Sequence, residues 1–141
     1  MSQVQDDCIF CKIANGEIPS ATVYEDEDFR VILDISPAAK GHALILPKKH
    51  FANAYEIEES YAAKVFPLAA RIAKAMKKVF GCDGVNILQN NEEAAGQTVY
   101  HFHVHIIPRY ADDGIDMTWN TLTTQPEEQE EIAKKLRMEL D

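Results

Sequence analysis

Three histidines alternate with apolar residues in the segment Tyr100–Pro108. Side chains of a β-strand point to opposite faces with a period of two, so His101, His103 and His105 are predicted to share one face. Neighbouring imidazoles would then lie roughly 6.6 Å apart, which suits either one tetrahedral phosphate or a bound metal. Three polar rings on a half-buried sheet are hard to explain by packing. The segment therefore predicts a catalytic or ligand-binding strand.

A polar loop, residues 90–98, lies directly before these histidines. Gly96 permits a close approach of the backbone, and Gln97 and Thr98 supply hydrogen-bond donors. Polar loops between strands are commonplace, so the loop alone predicts little. Its position beside the histidines indicates a place where phosphate oxygens are received.

Cys8 and Cys11 form a Cys-x-x-Cys pair near the start of the sequence. With only three cysteines in all, a disulfide framework is not expected, and in a reducing compartment this spacing indicates a metal site or a redox centre. A closed zinc site needs four ligands, so two histidines must complete it. The alternative is a pair of reduced thiols packed in a core, which is the interpretation we favour for Cys82.

The elements that must position these groups follow from hydrophobic periodicity. Alternating residues predict five strands, at residues 21–24, 29–33, 42–46, 85–90 and 99–107. Apolar residues recur every three or four positions from Ser60 to Phe80 and predict one long helix that Gly81 ends. Pro67 indicates either a kink or a later start of this helix. With an acidic terminal helix over residues 127–140, the pattern predicts an α+β domain with an antiparallel sheet.

Composition sets the broad class of the protein. The 141 residues suit a single domain, and the formal net charge of −9 argues against binding of a nucleic-acid polymer. A local pocket of imidazoles and amides can still hold one phosphate. The start has no apolar signal region, and no run of about 18 apolar residues occurs. We therefore expect a cytoplasmic protein without a membrane partner.

The segment from Gly96 to Ile107 resembles the His-x-His-x-His motif of the histidine-triad (HIT) superfamily, in its Hint-like nucleotide-binding branch. The resemblance extends over roughly residues 8–110. Within this branch the sequence resembles the zinc-containing subgroup, whose members carry a Cys-x-x-Cys pair. It implies a HIT-like fold, a sheet of about five strands with one long helix packed on it, extended across a homodimer. The terminal acidic helix has no counterpart in the pattern.

For activity, the resemblance implies a nucleotide hydrolase or transferase acting on adenosine phosphoramidates or related adenylates, a purine nucleotide conjugate. His103 would attack the α-phosphorus and form a covalent nucleotidyl-imidazole intermediate. The backbone carbonyl of His101 would hold the attacking tautomer, and His105 would contact phosphate oxygens. The same pocket would be lined by Gln97, Thr98, Asn90 and His42.

The resemblance also implies a nucleoside pocket. The base would lie against Phe10, Ile13, Ile18 and Ile32, although each isoleucine taken alone is better explained as a core residue. Asp34 would accept hydrogen bonds from the ribose hydroxyls. An ordinary turn after a strand explains Asp34 equally well.

A structural zinc ion is the one cofactor that the resemblance implies, with no organic cofactor. Its ligands would be Cys8, Cys11, His50 and His101. Three other functions stay open at this point: a dinucleoside-polyphosphate hydrolase, an enzyme that holds a catalytic metal on the three histidines, and a nucleotide-binding protein without activity.

Overall fold

The computed structural model describes residues 7–140. Its elements are, in chain order, α1 (Ile9–Ala14), β1 (Thr22–Glu25), β2 (Phe29–Leu33), β3 (Ala43–Pro47), α2 (Glu59–Phe80), β4 (Gly84–Leu88), β5 (Val104–Arg109) and α3 (Pro126–Glu139). The strands form one antiparallel sheet in the order β1-β2-β3-β5-β4. The predicted α+β fold, with five strands and one long helix, is confirmed.

Helix α2 packs its apolar stripe on one face of the sheet. Buried side chains of α2 meet Val31, Ile45 and Val104, which lie on the central strands. The helix ends where Gly81 adopts a left-handed conformation and donates its backbone N–H to Lys77, as the sequence predicts. It begins at Glu59 and continues past Pro67, so the later start allowed above is wrong.

The opposite face of the sheet carries the short helix α1, which the sequence did not predict. Ile32, Leu44 and Leu46 form a second buried cluster there, covered by Phe10 and Ile13 of α1. Because strand side chains alternate, the residues between them point to α2 instead. The sheet therefore separates the α2 core from a second face, which the short helix α1 covers only in part.

The histidine segment enters the sheet later than predicted. Strand β5 begins at Val104, not at Val99, so His105 alone of the three histidines lies within it. Pairing with β3 ends at Val104, and the Phe102 N–H instead donates to the carbonyl of Phe51 in the loop after β3, at 2.6 Å. Phe102 still lies in the α2 core with Val104, so the alternation of faces continues through the irregular stretch.

Helix α3 stands apart from the rest of the fold. Among the described helices and strands, none makes contact with α3, and none of its residues is buried. Residues 111–125 connect it to β5 without regular structure. Within residues 7–140, no helix has the length and apolar character needed to cross a membrane.

Gly41 precedes β3 at a site that only glycine fits. Its φ is +94°, and a Cβ atom there would collide with the ring of Phe80. We expect Gly41→Ala to lower the free energy of unfolding by about 1–3 kcal/mol. Gly84→Ala is the control, since no atom lies within 4 Å of its Cβ position. Urea denaturation of both variants checks this, and equal stabilities would contradict it.

Candidate active site

His103 has one ring nitrogen committed to the backbone and one available. Its Nδ1 lies 2.7 Å from the carbonyl oxygen of His101, and because a carbonyl only accepts, Nδ1 must carry the hydrogen. A neutral ring then has a lone pair on Nε2, the atom suited to attack an electrophile. The edge of Phe10 packs against this ring, with centroids 5.0 Å apart. The His103 ring is thus fixed in both tautomer and orientation.

His105 is held in the opposite tautomer by His42. The backbone N–H of Ala38 donates to Nδ1 of His42 at 3.0 Å, so the hydrogen of a neutral His42 ring is on Nε2. That Nε2 lies 2.9 Å from Nδ1 of His105 and donates to it. His105 is left with its own hydrogen on Nε2. A hydrogen-bond donor therefore lies next to the His103 ring, with the His103 and His105 centroids 5.0 Å apart.

Burial keeps these rings neutral at neutral pH. It lowers the pKa of His103 and of His42 below the ordinary 6.5. For His105, burial and then the neighbouring His103 and His42 lower the pKa to about 4. Asp34 lies 3.7 Å from Nε2 of His42, but this contact is not an ion pair because the imidazole carries no charge.

A cavity of about 480 Å³ opens beside the two rings. Eight residues chosen from the sequence line it: Phe10, Ile13, Ile18, Ile32, Asp34, Thr98, His103 and His105. Eight further lining residues are not apparent from the sequence: Ile9, Pro19, Ser20, Leu33, Ile35, Ser36, Leu44 and Val99. Most of these directly precede or follow a predicted site residue in the sequence, and this adjacency is the one signal that could have indicated them. The cavity offers an apolar wall at one side and imidazoles at the other.

Asp34 forms the turn that the sequence allowed and also lines the cavity. One carboxylate oxygen accepts the N–H of Ser36 at 2.9 Å and forms the turn after β2. The side chain also lines the cavity. The turn thus fixes the carboxylate at the cavity wall, where an acceptor for hydroxyl groups is available.

Gln97 differs from its expected place as a phosphate donor. Its side chain is buried, and its amide nitrogen donates to the carbonyls of Ala52 and Val99 at 2.7 and 3.1 Å. Its amide oxygen accepts the N–H of Glu92 at 2.7 Å. Both amide hydrogens are therefore used within the protein, and Gln97 braces the loop before the histidines.

Three further residues chosen for the phosphate or catalytic site lie outside the cavity lining. Asn90 packs beside Gly96, with its amide nitrogen 3.3 Å from the position of a Cβ atom there. His42 stands behind His105 and reaches the cavity only through that ring. His101 contributes its carbonyl to His103, while its side chain points into the cysteine cluster.

The bracing role of Gln97 has a measurable consequence. We expect Gln97→Ala to lower the free energy of unfolding by about 1–3 kcal/mol, because three backbone groups lose the buried side chain that pairs with them. Gln129→Ala on the exposed face of α3 is the control, with an expected change below about 0.5 kcal/mol. Thermal unfolding checks both variants. Unchanged stability with a large loss of turnover would instead support the donor role.

Cys8, Cys11, His50 and His101 converge at the N-terminus of α1, their ligand atoms all within 4.8 Å of one another. Each thiol lies 3.3 Å from Nδ1 of His101, and the Cys11 thiol lies 3.3 Å from Nδ1 of His50. Ligands of a tetrahedral zinc ion stand roughly 3.5 Å apart, from zinc–sulfur and zinc–nitrogen distances of about 2.3 and 2.0 Å. His101 also directs Nε2 at the Pro47 carbonyl, 2.8 Å away, which leaves Nδ1 for a metal. The donor set fits a metal ion.

An antiparallel sheet with a row of histidines before and within β5, and a cavity beside them, defines a histidine-triad protein. The profile of the HIT domain matches residues 15–112. The chain belongs to this family.

Similar proteins are known by sequence and by structure. The chain is 39% identical over 135 residues to adenosine 5'-monophosphoramidase hnt1 of Schizosaccharomyces pombe, covering 92% of this chain and 98% of that protein. The crystal structure of SMU.412c from Streptococcus mutans UA159 superposes with a TM-score of 0.94 and 45% identity, over 100% of this chain and 90% of that one. A zinc-bound histidine-triad family protein of Mycobacterium smegmatis superposes with a TM-score of 0.74 and 34% identity, over 96% of each chain.

Proposed function

We propose that this protein hydrolyses adenosine phosphoramidates or related adenylates at the α-phosphate. The observation that carries the proposal is the paired tautomer state of His103 and His105. One ring presents a lone pair at the cavity and its neighbour presents a hydrogen, which is what nucleophilic attack on a phosphoryl group needs. The similarity to a protein named adenosine 5'-monophosphoramidase supports the same reaction class.

In the proposed reaction, Nε2 of His103 attacks the α-phosphorus and a nitrogen–phosphorus bond forms. The bond from phosphorus to the leaving nitrogen breaks, and that nitrogen takes up a proton as it departs. Water then attacks the nucleotidyl-imidazole, which releases the nucleoside monophosphate and restores the ring. The Nε2–H of His105 donates to a phosphoryl oxygen and stabilises the charge that develops there.

Recognition of the nucleoside would use the remaining cavity wall. The proposed base site lies between Phe10 and the three isoleucines Ile13, Ile18 and Ile32, which together offer a dry surface for a flat ring. The proposed ribose site is Asp34, whose carboxylate the turn holds in place. Thr98 lines both this cavity and a second, adjoining one, and it would contact the phosphate.

We propose a structural zinc ion on Cys8, Cys11, His50 and His101, supported by the fit of the donors and the zinc-bound relative. When bound, the ion supplies a cross-link between α1 and the histidine segment. A catalytic metal on the three histidines has less support, because His101 directs its ring to the cysteines. Asp34, His42 and His105 also cluster. However, Nδ1 of His42 accepts the Ala38 N–H, so the hydrogen of the neutral ring is on Nε2, the atom that would have to bind the metal.

A substrate panel tests the proposal directly. Purified protein is assayed with adenosine phosphoramidates, an aminoacyl adenylate and dinucleoside polyphosphates, before and after brief chelation. We expect turnover of the phosphoramidates that survives chelation. Preference for the dinucleoside polyphosphates would identify the alternative hydrolase, loss of turnover on chelation would favour a catalytic metal, and tight binding of adenosine monophosphate without turnover would indicate a binding protein.

His42 acts through His105 in this mechanism, and that role is separable from binding. We expect His42→Phe, which keeps the ring volume but removes the donor, to lower kcat about 10- to 100-fold. The KM should change little, because His42 does not line the cavity. Steady-state kinetics measure both constants. An increase in KM at constant kcat would show that His42 serves binding instead.

We further propose that the protein is a cytoplasmic homodimer with no nucleic-acid partner. The acidic net charge of −9 opposes binding of a polyanion, and a zinc site on Cys8 and Cys11 would need reduced thiols, as a reducing compartment provides. Edge strand β4 and the long helix α2 border an apolar cavity of about 460 Å³ suited to a second copy. Sedimentation at several concentrations measures the oligomeric state.

A further inference from the structure

The C-terminal end of helix α1 is held by hydrogen bonds to the sheet and its loops. Nδ2 of Asn15 donates to the carbonyl of Lys48 at 2.9 Å. Nε of Arg30, on β2, donates to the carbonyl of Ala14 at 3.1 Å. Among the helices and strands of residues 7–140, α1 contacts only β2 and β3. This end of the helix is therefore anchored without any help from the proposed zinc site.

The N-terminal end of α1 is held by the proposed zinc site. Cys8 and Cys11 meet His50 and His101 there, with all four ligand atoms within 4.8 Å of one another. His50 lies in the loop after β3, and His101 lies in the segment before β5. The cluster thus ties α1 to two segments outside the strands that it contacts. Loss of two ligands would release this end while the other end stays anchored.

Phe10 links this end of α1 to the candidate active site. It lies between the two cysteines in the sequence and lines the cavity beside His103. Its ring packs against those of His103 and His101, with centroids 5.0 and 6.3 Å apart. A shift of the N-terminal end of α1 therefore disturbs the proposed base site and the packing of the His103 ring together.

Of the two thiols in the cluster, Cys8 is the one that a small oxidant can reach. Cys11 is 0% exposed, whereas Cys8 is partly exposed and lines a cavity of about 370 Å³. The two sulfur atoms lie within 4.8 Å of each other, with only two residues between the cysteines. Side-chain rotation can close this gap to the roughly 2.05 Å of a disulfide. An accessible thiol beside a second one is the arrangement of reversible thiol oxidation.

We infer that Cys8 and Cys11 form a reversible thiol switch: peroxide converts them to a disulfide, the zinc ion leaves, and the affinity for the nucleoside falls. The inference rests on the proposed zinc site and the proposed nucleoside pocket. It goes beyond both, because it assigns the cysteines a regulatory modification that the proposed reaction does not need.

One molecule of hydrogen peroxide is consumed for each disulfide. The Cys8 thiolate attacks one oxygen, the oxygen–oxygen bond breaks, and Cys8 becomes a sulfenic acid as hydroxide leaves. The Cys11 thiolate then attacks the Cys8 sulfur, a sulfur–sulfur bond forms, and the sulfur–oxygen bond breaks to release a second hydroxide. The two sulfurs lose two electrons and the peroxide gains them. A dithiol reductant returns two electrons, and the restored thiolates bind zinc again.

Oxidation of the full-length, zinc-loaded protein tests the switch. Hydrogen peroxide is added, zinc release is followed with a coloured chelator, and the disulfide is detected by mass spectrometry of the peptide that contains residues 8–11. We expect zinc release in step with disulfide formation. Calorimetry should show that affinity for adenosine monophosphate falls at least about tenfold, at a temperature where circular dichroism shows a folded protein. Dithiothreitol with added zinc should restore the affinity.

Two variants separate the switch from general oxidation. Cys8→His keeps four zinc donors but removes one of the two thiols, so its zinc and its nucleotide affinity should survive peroxide. Cys82→Ala should respond as the wild type does, because Cys82 belongs to the α2 core.

Three results would overturn the inference: no disulfide between Cys8 and Cys11, a disulfide form that keeps its zinc, or a disulfide form with unchanged affinity for adenosine monophosphate. Reduced protein that does not bind adenosine monophosphate would contradict the proposed nucleoside pocket instead. Zinc release with disulfide formation would then still decide whether the two thiols form a switch.

Discussion

His103→Ala should abolish turnover while nucleoside monophosphate still binds. The ring supplies the lone pair that attacks phosphorus, and no other described imidazole at the cavity has a free lone pair in the same place, because Nδ1 of His105 accepts from His42. We expect kcat to fall at least about a thousandfold, as for loss of a nucleophile. Affinity for adenosine monophosphate should stay within a few-fold, since the apolar wall is untouched. Single-turnover kinetics and calorimetry measure the two quantities.

Trapping of the intermediate gives the direct evidence. Rapid acid-free quenching after mixing with a fast-leaving adenylate should yield a nucleotidylated peptide that contains His103. His105→Ala is the matched control, because it removes a donor and leaves the nucleophile, with an expected loss of about 100- to 1000-fold in kcat. If His103→Ala retains most of the rate and no histidine is labelled, the covalent mechanism is wrong.

Loss of the metal ligands should have the largest effect on stability. We expect about one zinc ion per chain, and both Cys8→Ala and His50→Ala should lose it together with at least about 3 kcal/mol of the free energy of unfolding. For a chain of this size that corresponds to roughly 10 °C in Tm. The reason is that the four ligands join α1 to the loop after β3 and to the histidine segment.

Cys82→Ala is the control for this prediction. Cys82 is also buried but belongs to the α2 core, so its replacement should cost about 1–2 kcal/mol and leave the metal content unchanged. Metal content by atomic emission and thermal unfolding are measured on all variants. Zinc bound at the same level in Cys8→Ala and His50→Ala would exclude this ligand set.

Much of the fold and of the candidate site was predictable because it depends on local periodicity. The alternation around Val104 and the spacing along α2 survive in the structure, since each follows from which face a side chain must bury. The start of β5 was not predictable. It depends on where pairing with β3 stops and on the contact of Phe102 with Phe51, and both are set by residues far away in sequence.

The roles of polar side chains were harder to predict than their location. Gln97 lies in the expected loop, but its side-chain amide is already hydrogen-bonded to three backbone groups. The sequence predicted that His42 lines the pocket, whereas in the structure the ring of His105 lies between His42 and the pocket. A sequence indicates which donors are near a site, whereas the partners that use those donors come from loops that fold against it.

The late entry of the histidine segment into the sheet carries a lesson for protein design. In a regular ladder, carbonyl groups accept hydrogen bonds from neighbouring strands. Because strand pairing stops at Val104, the carbonyl of His101 instead turns to the ring of His103. Transplanting the three histidines onto an uninterrupted strand would reproduce their spacing but lose this contact. A designer would have to copy the unpaired segment before Val104 together with the motif.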